Sequence, residues 1–161
     1  MTRSNRKKIV TAVLCVLIVF TASFIWANSL QNSEKSNAQS GAVIDIIKPL
    51  LDPADKITRS DFSFGVRKAA HFAEFMLLGG EICALCLLRR SRQFFAPPFA
   101  LLLWATLDET IQKFTGRTSS VTDVLLDLCG GIFGVLLCLL ICAAVKKLRR
   151  GRSRKKQKTK L

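Results

Sequence analysis

One histidine, a set of carboxylates and a few arginines lie within or beside apolar runs of this chain, and their spacing suits acid–base or anion-binding chemistry. His71 is the only histidine, and Glu74 follows it three residues on. Imidazole titrates near neutrality, so a neighbouring carboxylate can set it as a general acid or base. Asp108 and Glu109 supply a second pair of carboxylates, with Gln112 one turn further. These four ionisable groups, His71, Glu74, Asp108 and Glu109, are the candidate catalytic residues. Arg67, Lys68 and Arg117 can clamp a phosphate, and Gln112, Asp123 and Asp127 complete a candidate binding set. Ionisable side chains at bilayer depth are costly, so they face a bundle interior and mark function by default.

The elements that must position these groups are apolar helices. Four runs, about residues 9–27, 66–88, 94–114 and 124–145, are long enough to span a bilayer. On the second, Arg67, His71, Glu74, Leu78 and Glu81 step by four and three residues and fall on one helical stripe. On the third, the apolar stretch 94–107 covers only about 21 Å at 1.5 Å per residue. Against a hydrocarbon core of about 30 Å, Asp108, Glu109 and Gln112 must still lie in the outer leaflet. On the fourth, Asp123, Asp127, Gly131 and Gly134 share a face. Gly130-x-x-x-Gly134 permits a close helix approach that would draw Asp127 towards another span.

Charge segregation orients the spans. The first eight residues carry four Lys or Arg, the connection 89–93 carries three and the tail 146–161 carries ten, and none of these segments has an acid. The positive-inside rule puts all three in the cytoplasm. The expected fold is an all-α integral membrane protein, a four-transmembrane-helix bundle with N-in/C-in orientation. Residues 1–8 form a basic cytoplasmic N-terminus, 9–145 the membrane domain, and 146–161 a basic cytoplasmic tail. The first run is 19 residues long with no A-x-A-like site after it, which favours an uncleaved anchor over a signal peptide.

The formal charge of +14 reflects this topology rather than a nucleic-acid partner, since no recognition fold surrounds the tail. Anionic headgroups are the partner expected for the tail. In the first outer connection, 28–40 is polar and reads as a loop. Val43, Ile46, Ile47, Leu50 and Leu51 then outline a short amphipathic interfacial helix, which caps the bundle or acts as a lid, with Pro49 set to shorten or bend it. All six cysteines fall inside the runs, where buried thiols serve as small apolar side chains.

The polar residues carry a resemblance. Arg67-Lys68-x-x-His71-Phe72-x-Glu74-Phe75 resembles the R-K-x-x-H-F-x-E-[YF] block of VanZ-like membrane proteins. Asp108-Glu109-x-x-Gln112 is similar to that family's D-E-x-x-Q, and Gly116-Arg117-x-x-Ser120-x-x-Asp123-Val124 to its G-R-x-x-S-x-x-D-[VI]. Asp127-x-x-Gly130 is similar to [ND]-x-x-G, and Asn28-Ser29-Leu30-Gln31 to the S-x-Q element after the first span. Ser119 and Asp127 depart from the usual Gly and Asn. The resemblance adds Ser120 to the candidate binding residues. It implies a multi-pass protein of the bacterial cytoplasmic membrane, in a family whose namesake is linked to teicoplanin resistance, without fixing a reaction.

Two functions stay open. One is an envelope-facing protein that acts on or binds a lipid-linked phosphate or glycan, or a lipoglycopeptide. The other is a non-catalytic accessory or binding protein whose polar cluster is structural or recruits a partner. The carboxylates could hold a divalent cation together with a phosphate. A single histidine with no cysteine beside it argues against zinc, and no metal ligand is assigned.

Overall fold

The computed structural model describes residues 2–31, 33–89, 96–114 and 120–158. Among these, the chain is all-helical: α1 (Arg3–Ser29), α2 (Ser33–Leu51), α3 (Arg59–Arg89), α4 (Ala96–Phe114) and α5 (Val121–Lys158). Three segments, Ser4–Ser29, Arg59–Arg89 and Val121–Gly151, are long and apolar enough to cross a membrane. The fourth expected span, α4, has 19 residues, about 28 Å of helix. Asp108, Glu109 and Lys113 within that short length keep it from standing out as an apolar segment.

Local chemistry marks the helix starts. Thr2 caps α1, its hydroxyl accepting from the Asn5 amide at 3.3 Å. Thr58 does the same for α3, accepting from the Asp61 amide at 3.2 Å and donating to the Asp61 carboxylate at 2.7 Å. Between α2 and α3, Asp52 fixes the turn by accepting from the amides of Lys56 (3.0 Å) and Ile57 (2.8 Å). These two amides hold its carboxyl below the usual carboxylate range, the Ile57 bond foremost.

The polar stretch 28–40 is not a loop: α1 runs on through Ser29, and α2 begins at Ser33. No Gly or Pro interrupts 33–40. The small propensity deficit of Ser and Asn is then too weak to break the helix. Nor does Pro49 end it, since α2 continues to Leu51. Among the described side chains of α2, Ile44 is buried, whereas Val43, Ile46, Leu50 and Leu51 face outward.

The packing is that of a bundle turned inside out. Val16, Phe20 and Leu140 are about two-thirds exposed, while Asp108, Glu109, Gln112 and Asp127 are buried. Helix α3 lies at the centre and touches every other helix, with α5 its most extensive neighbour. Glycines make that contact possible. A Cβ on Gly79 would run into the Gly131 backbone, one on Gly130 into the Phe72 carbonyl, and one on Gly134 into the Met76 carbonyl. The close approach expected from Gly130-x-x-x-Gly134 is therefore present, and α3 is the helix it meets. A small apolar core of Ile25, Phe75, Leu78, Leu101 and Ala105 joins α1, α3 and α4 beside it. Trp26 of α1 stacks on Trp104 of α4, with ring centroids 4.5 Å apart and planes 6° from parallel.

Candidate functional site

The close α3–α5 contact decides where the polar residues meet. Asp127 lies one helical turn before Gly130, so the glycine packing carries its carboxylate against α3 and α4. There it is 2 % exposed and faces Asp108, which is fully buried. A ligand-capable atom of His71, one of Asp108 and one of Asp127 all lie within 4.8 Å of one another. Three helices thus contribute one group each.

Hydrogen bonds tie a fourth helix to the cluster. Asn28 of α1 donates to Glu74 at 2.8 Å, and the other Glu74 oxygen lies 3.8 Å from His71 Nδ1. Gln112 donates to Asp108 at 2.8 Å, with Ser29 Oγ at 3.4 Å from the same amide nitrogen. The i, i+4 spacing of Asp108 and Gln112 makes the first of these possible on one helix face. Glu109, 5 % exposed, is also buried in the bundle.

At the mouth of the cluster, Lys68 pairs with Asp123 and lies over the Phe64 ring at 5.1 Å from its centroid. Arg67 is half-buried on the same turn. Ser120 is exposed and caps α5: its carbonyl accepts from the Asp123 amide at 2.9 Å, and its hydroxyl from the Thr122 amide at 3.1 Å. Arg117 lies outside the described residues. The structure therefore brings together Lys68, His71, Glu74, Asp108, Glu109, Gln112, Asp123 and Asp127, places Arg67 half-buried beside Lys68 in the chain, and leaves Ser120 at the rim.

Spacing alone missed Asn28 and Ser29 as members of this cluster. The signal that could have found them is the Asn28-Ser29-Leu30-Gln31 element, which the family resemblance singled out. Glu81 lies apart, deeper on the α3 stripe, where Thr21 of α1 donates to it at 3.1 Å.

The arrangement can hold and orient an anionic group at the basic mouth and shift protons through a buried carboxylate–imidazole cluster. The VanZ/LLP1 family profile matches residues 11–142, most of the chain. The chain belongs to the VanZ/LLP1 family. The match takes in α2, α3 and α4 whole and most of α1, and ends within α5, so every residue of the cluster lies inside the VanZ/LLP1 region. No curated protein and no solved structure matches this chain.

Proposed function

We propose that this VanZ/LLP1 protein sits in the bacterial cytoplasmic membrane with four spans and both ends in the cytoplasm. Its polar cluster opens to the outer leaflet and binds the anionic headgroup of an envelope amphiphile, a lipid-linked phosphate or glycan. Helix α4 is the fourth span, entering the bilayer through its apolar first half. In this reading Arg67, Lys68 and Arg117 engage the headgroup. His71, with Glu74 behind it, and Asp108 and Glu109 supply proton transfer where the bound group reacts. Ser120 and Asp123 shape the rim, and Gln112 holds Asp108. The basic tail rests on anionic inner-leaflet lipids.

The observation that carries this reading is the burial of four polar side chains, Asp108, Glu109, Gln112 and Asp127, at one point where α3, α4 and α5 meet, in a bundle whose outer surface is apolar. Packing alone does not call for several carboxylates at one depth, because like charges in low dielectric oppose assembly. A recipient of lipoglycopeptides, and with it glycopeptide resistance, would use the same headgroup chemistry.

The test is native mass spectrometry of the full chain presented with a polyprenyl phosphate. Wild type should retain the lipid, and Arg67→Ala or Arg117→Ala should weaken retention by about tenfold, the value of a 1.4 kcal/mol contact. Equal retention by wild type and both variants would remove the headgroup reading. The accessory-protein reading draws on Asn28–Glu74 and Gln112–Ser29, bonds that link helices as a structural network would. It requires function to follow thermal stability across the variants.

A further inference from the structure

Helices α3 and α5 carry a second chemistry further along the seam where they touch. A built Cβ on Gly130 meets Phe72, and one on Gly80 lies 3.6 Å from the Gly134 carbonyl oxygen. Contacts therefore advance along both chains together, and the two helices run parallel. Cys83 lies three residues beyond Gly80 and Cys86 three further, while Cys138 lies four beyond Gly134 and Cys142 four further. Steps of three and four stay on one helix face. The glycine seam thus continues as a thiol seam at the end of the bundle away from the polar cluster.

The thiols meet across it. Cys83 and Cys138 are hydrogen-bonded to each other, Cys142 is bonded to Cys138, and Cys86 is close enough to Cys83 to act on it electrostatically. Cys83 is buried, and Cys86, Cys138 and Cys142 are partly so. Of the other two cysteines, Cys15 lies on α1 and Cys129 is exposed. Thiols that serve as small apolar side chains have no reason to gather. Here four of the six do, two from each helix. Cys83-x-x-Cys86 taken alone reads as packing because it lacks partner ligands, and α5 supplies them.

We propose that this seam binds the soft metal ion Cu+, held between α3 and α5 by the sulfurs of Cys83 and Cys138, with Cys142 and Cys86 as further donors. Thiolate ligands select soft ions. Binding exchanges protons for metal: two thiols and one Cu+ give a bis-thiolate complex and two released protons, with no change in oxidation state. Charge favours Cu+ over Zn2+. A four-thiolate zinc site would bury twice the net negative charge of the bis-thiolate copper complex, in a bundle with an apolar outer surface. Arg89 follows Cys86 by three residues and Lys146 follows Cys142 by four, so cations flank the complex one turn on. In the orientation proposed above, this end lies towards the cytoplasm, where thiols are kept reduced. That favours the ion over a Cys83–Cys138 disulfide. The site shares no residue with the polar cluster and goes beyond the headgroup reading.

The experiment uses the full chain in detergent, reduced with a phosphine and kept free of oxygen, then equilibrated with Cu+ or with ZnCl2 in separate samples. Each is challenged with a chelator for its ion, and bound metal is measured after gel filtration. Wild type should retain about one Cu+ per chain and release Zn2+. A double variant, Cys15→Ser with Cys129→Ser, should retain the same Cu+, and its X-ray absorption should show sulfur as the nearest neighbour of copper. Only the four seam cysteines remain in that chain, so it decides the matter even where a seam variant fails to fold. Cys83→Ser and Cys138→Ser should each lose retention of Cu+ and keep that of polyprenyl phosphate. Release of Cu+ by wild type or by the double variant, copper without sulfur neighbours, preferential retention of Zn2+, or undiminished Cu+ retention by Cys83→Ser would overturn the proposal.

Discussion

Alanine at Gly130 tests whether the α3–α5 contact is what carries Asp127 to the other polar groups. A Cβ built there lies 2.5 Å from the Phe72 carbonyl oxygen and 3.2 Å from its carbon. Backbone cannot rotate away as a side-chain tip can. The two helices must part by about 0.9 Å to restore the ordinary 3.4 Å. Overpacking of this kind costs about 1–3 kcal/mol. Replacing a helical glycine returns about 0.5–1 kcal/mol through the unfolded chain and helix propensity. The net loss is about 0–2.5 kcal/mol, or up to about 10 °C in Tm for a chain of this size. Gly65, also on α3, has nothing within 4 Å of its built Cβ, so Gly65→Ala should instead raise Tm by about 1–4 °C. The assay is thermal unfolding of both variants in one detergent, followed by circular dichroism. Equal Tm values for Gly130→Ala and Gly65→Ala would refute the claim that the helices meet at Gly130.

Cysteines placed singly in a cysteine-free chain should react from outside at positions 33 and 118 and only from inside at 91 and 155; outside-only labelling at 155 would overturn the proposed orientation. Glu81→Gln should leave headgroup retention intact and change stability by no more than about 1 kcal/mol, since Thr21 can bond the amide as it does the carboxyl; a large loss of retention at normal stability would move Glu81 into the site. Asp52 contributes stability to the α2–α3 turn that is fully present above the ordinary aspartate pKa and lost as pH falls through its lowered value. The Ile57 amide resonance should follow that titration in wild type and not in Asp52→Asn. His71→Ala and Arg117→Ala should impair function at unchanged Tm, and His71→Ala with Asp108→Ala should be scarcely worse than either alone, because members of one unit are non-additive.

The α3 stripe was legible in the sequence because charges at steps of four and three stand out in an apolar run. The structure keeps Arg67, His71, Glu74, Leu78 and Glu81 half-buried or buried on one face. Asp108 and Gln112 were legible for the same reason, and the glycine pair foretold the close contact beside Asp127. Helix α1 was opaque. Its run is apolar on every side, so periodicity does not say which face turns inward, and Thr21 and Ser29 are too mildly polar to mark one. The start of α2 was missed because composition near Ser33 resembles a loop, while length and the absence of breakers decide helicity there.

The stacked indoles give the molecule an optical gauge. Trp26 and Trp104 are its only two tryptophans, and they lie one turn from Ser29 and Asp108 respectively. Parallel rings 4.5 Å apart couple their electronic transitions, so the pair should absorb and emit as one chromophore while α1 and α4 stay in register. Any event that pries those helices apart would split that signal without a label being added. The bundle thus reports, in its own ultraviolet spectrum, whether the wall around its polar centre is shut.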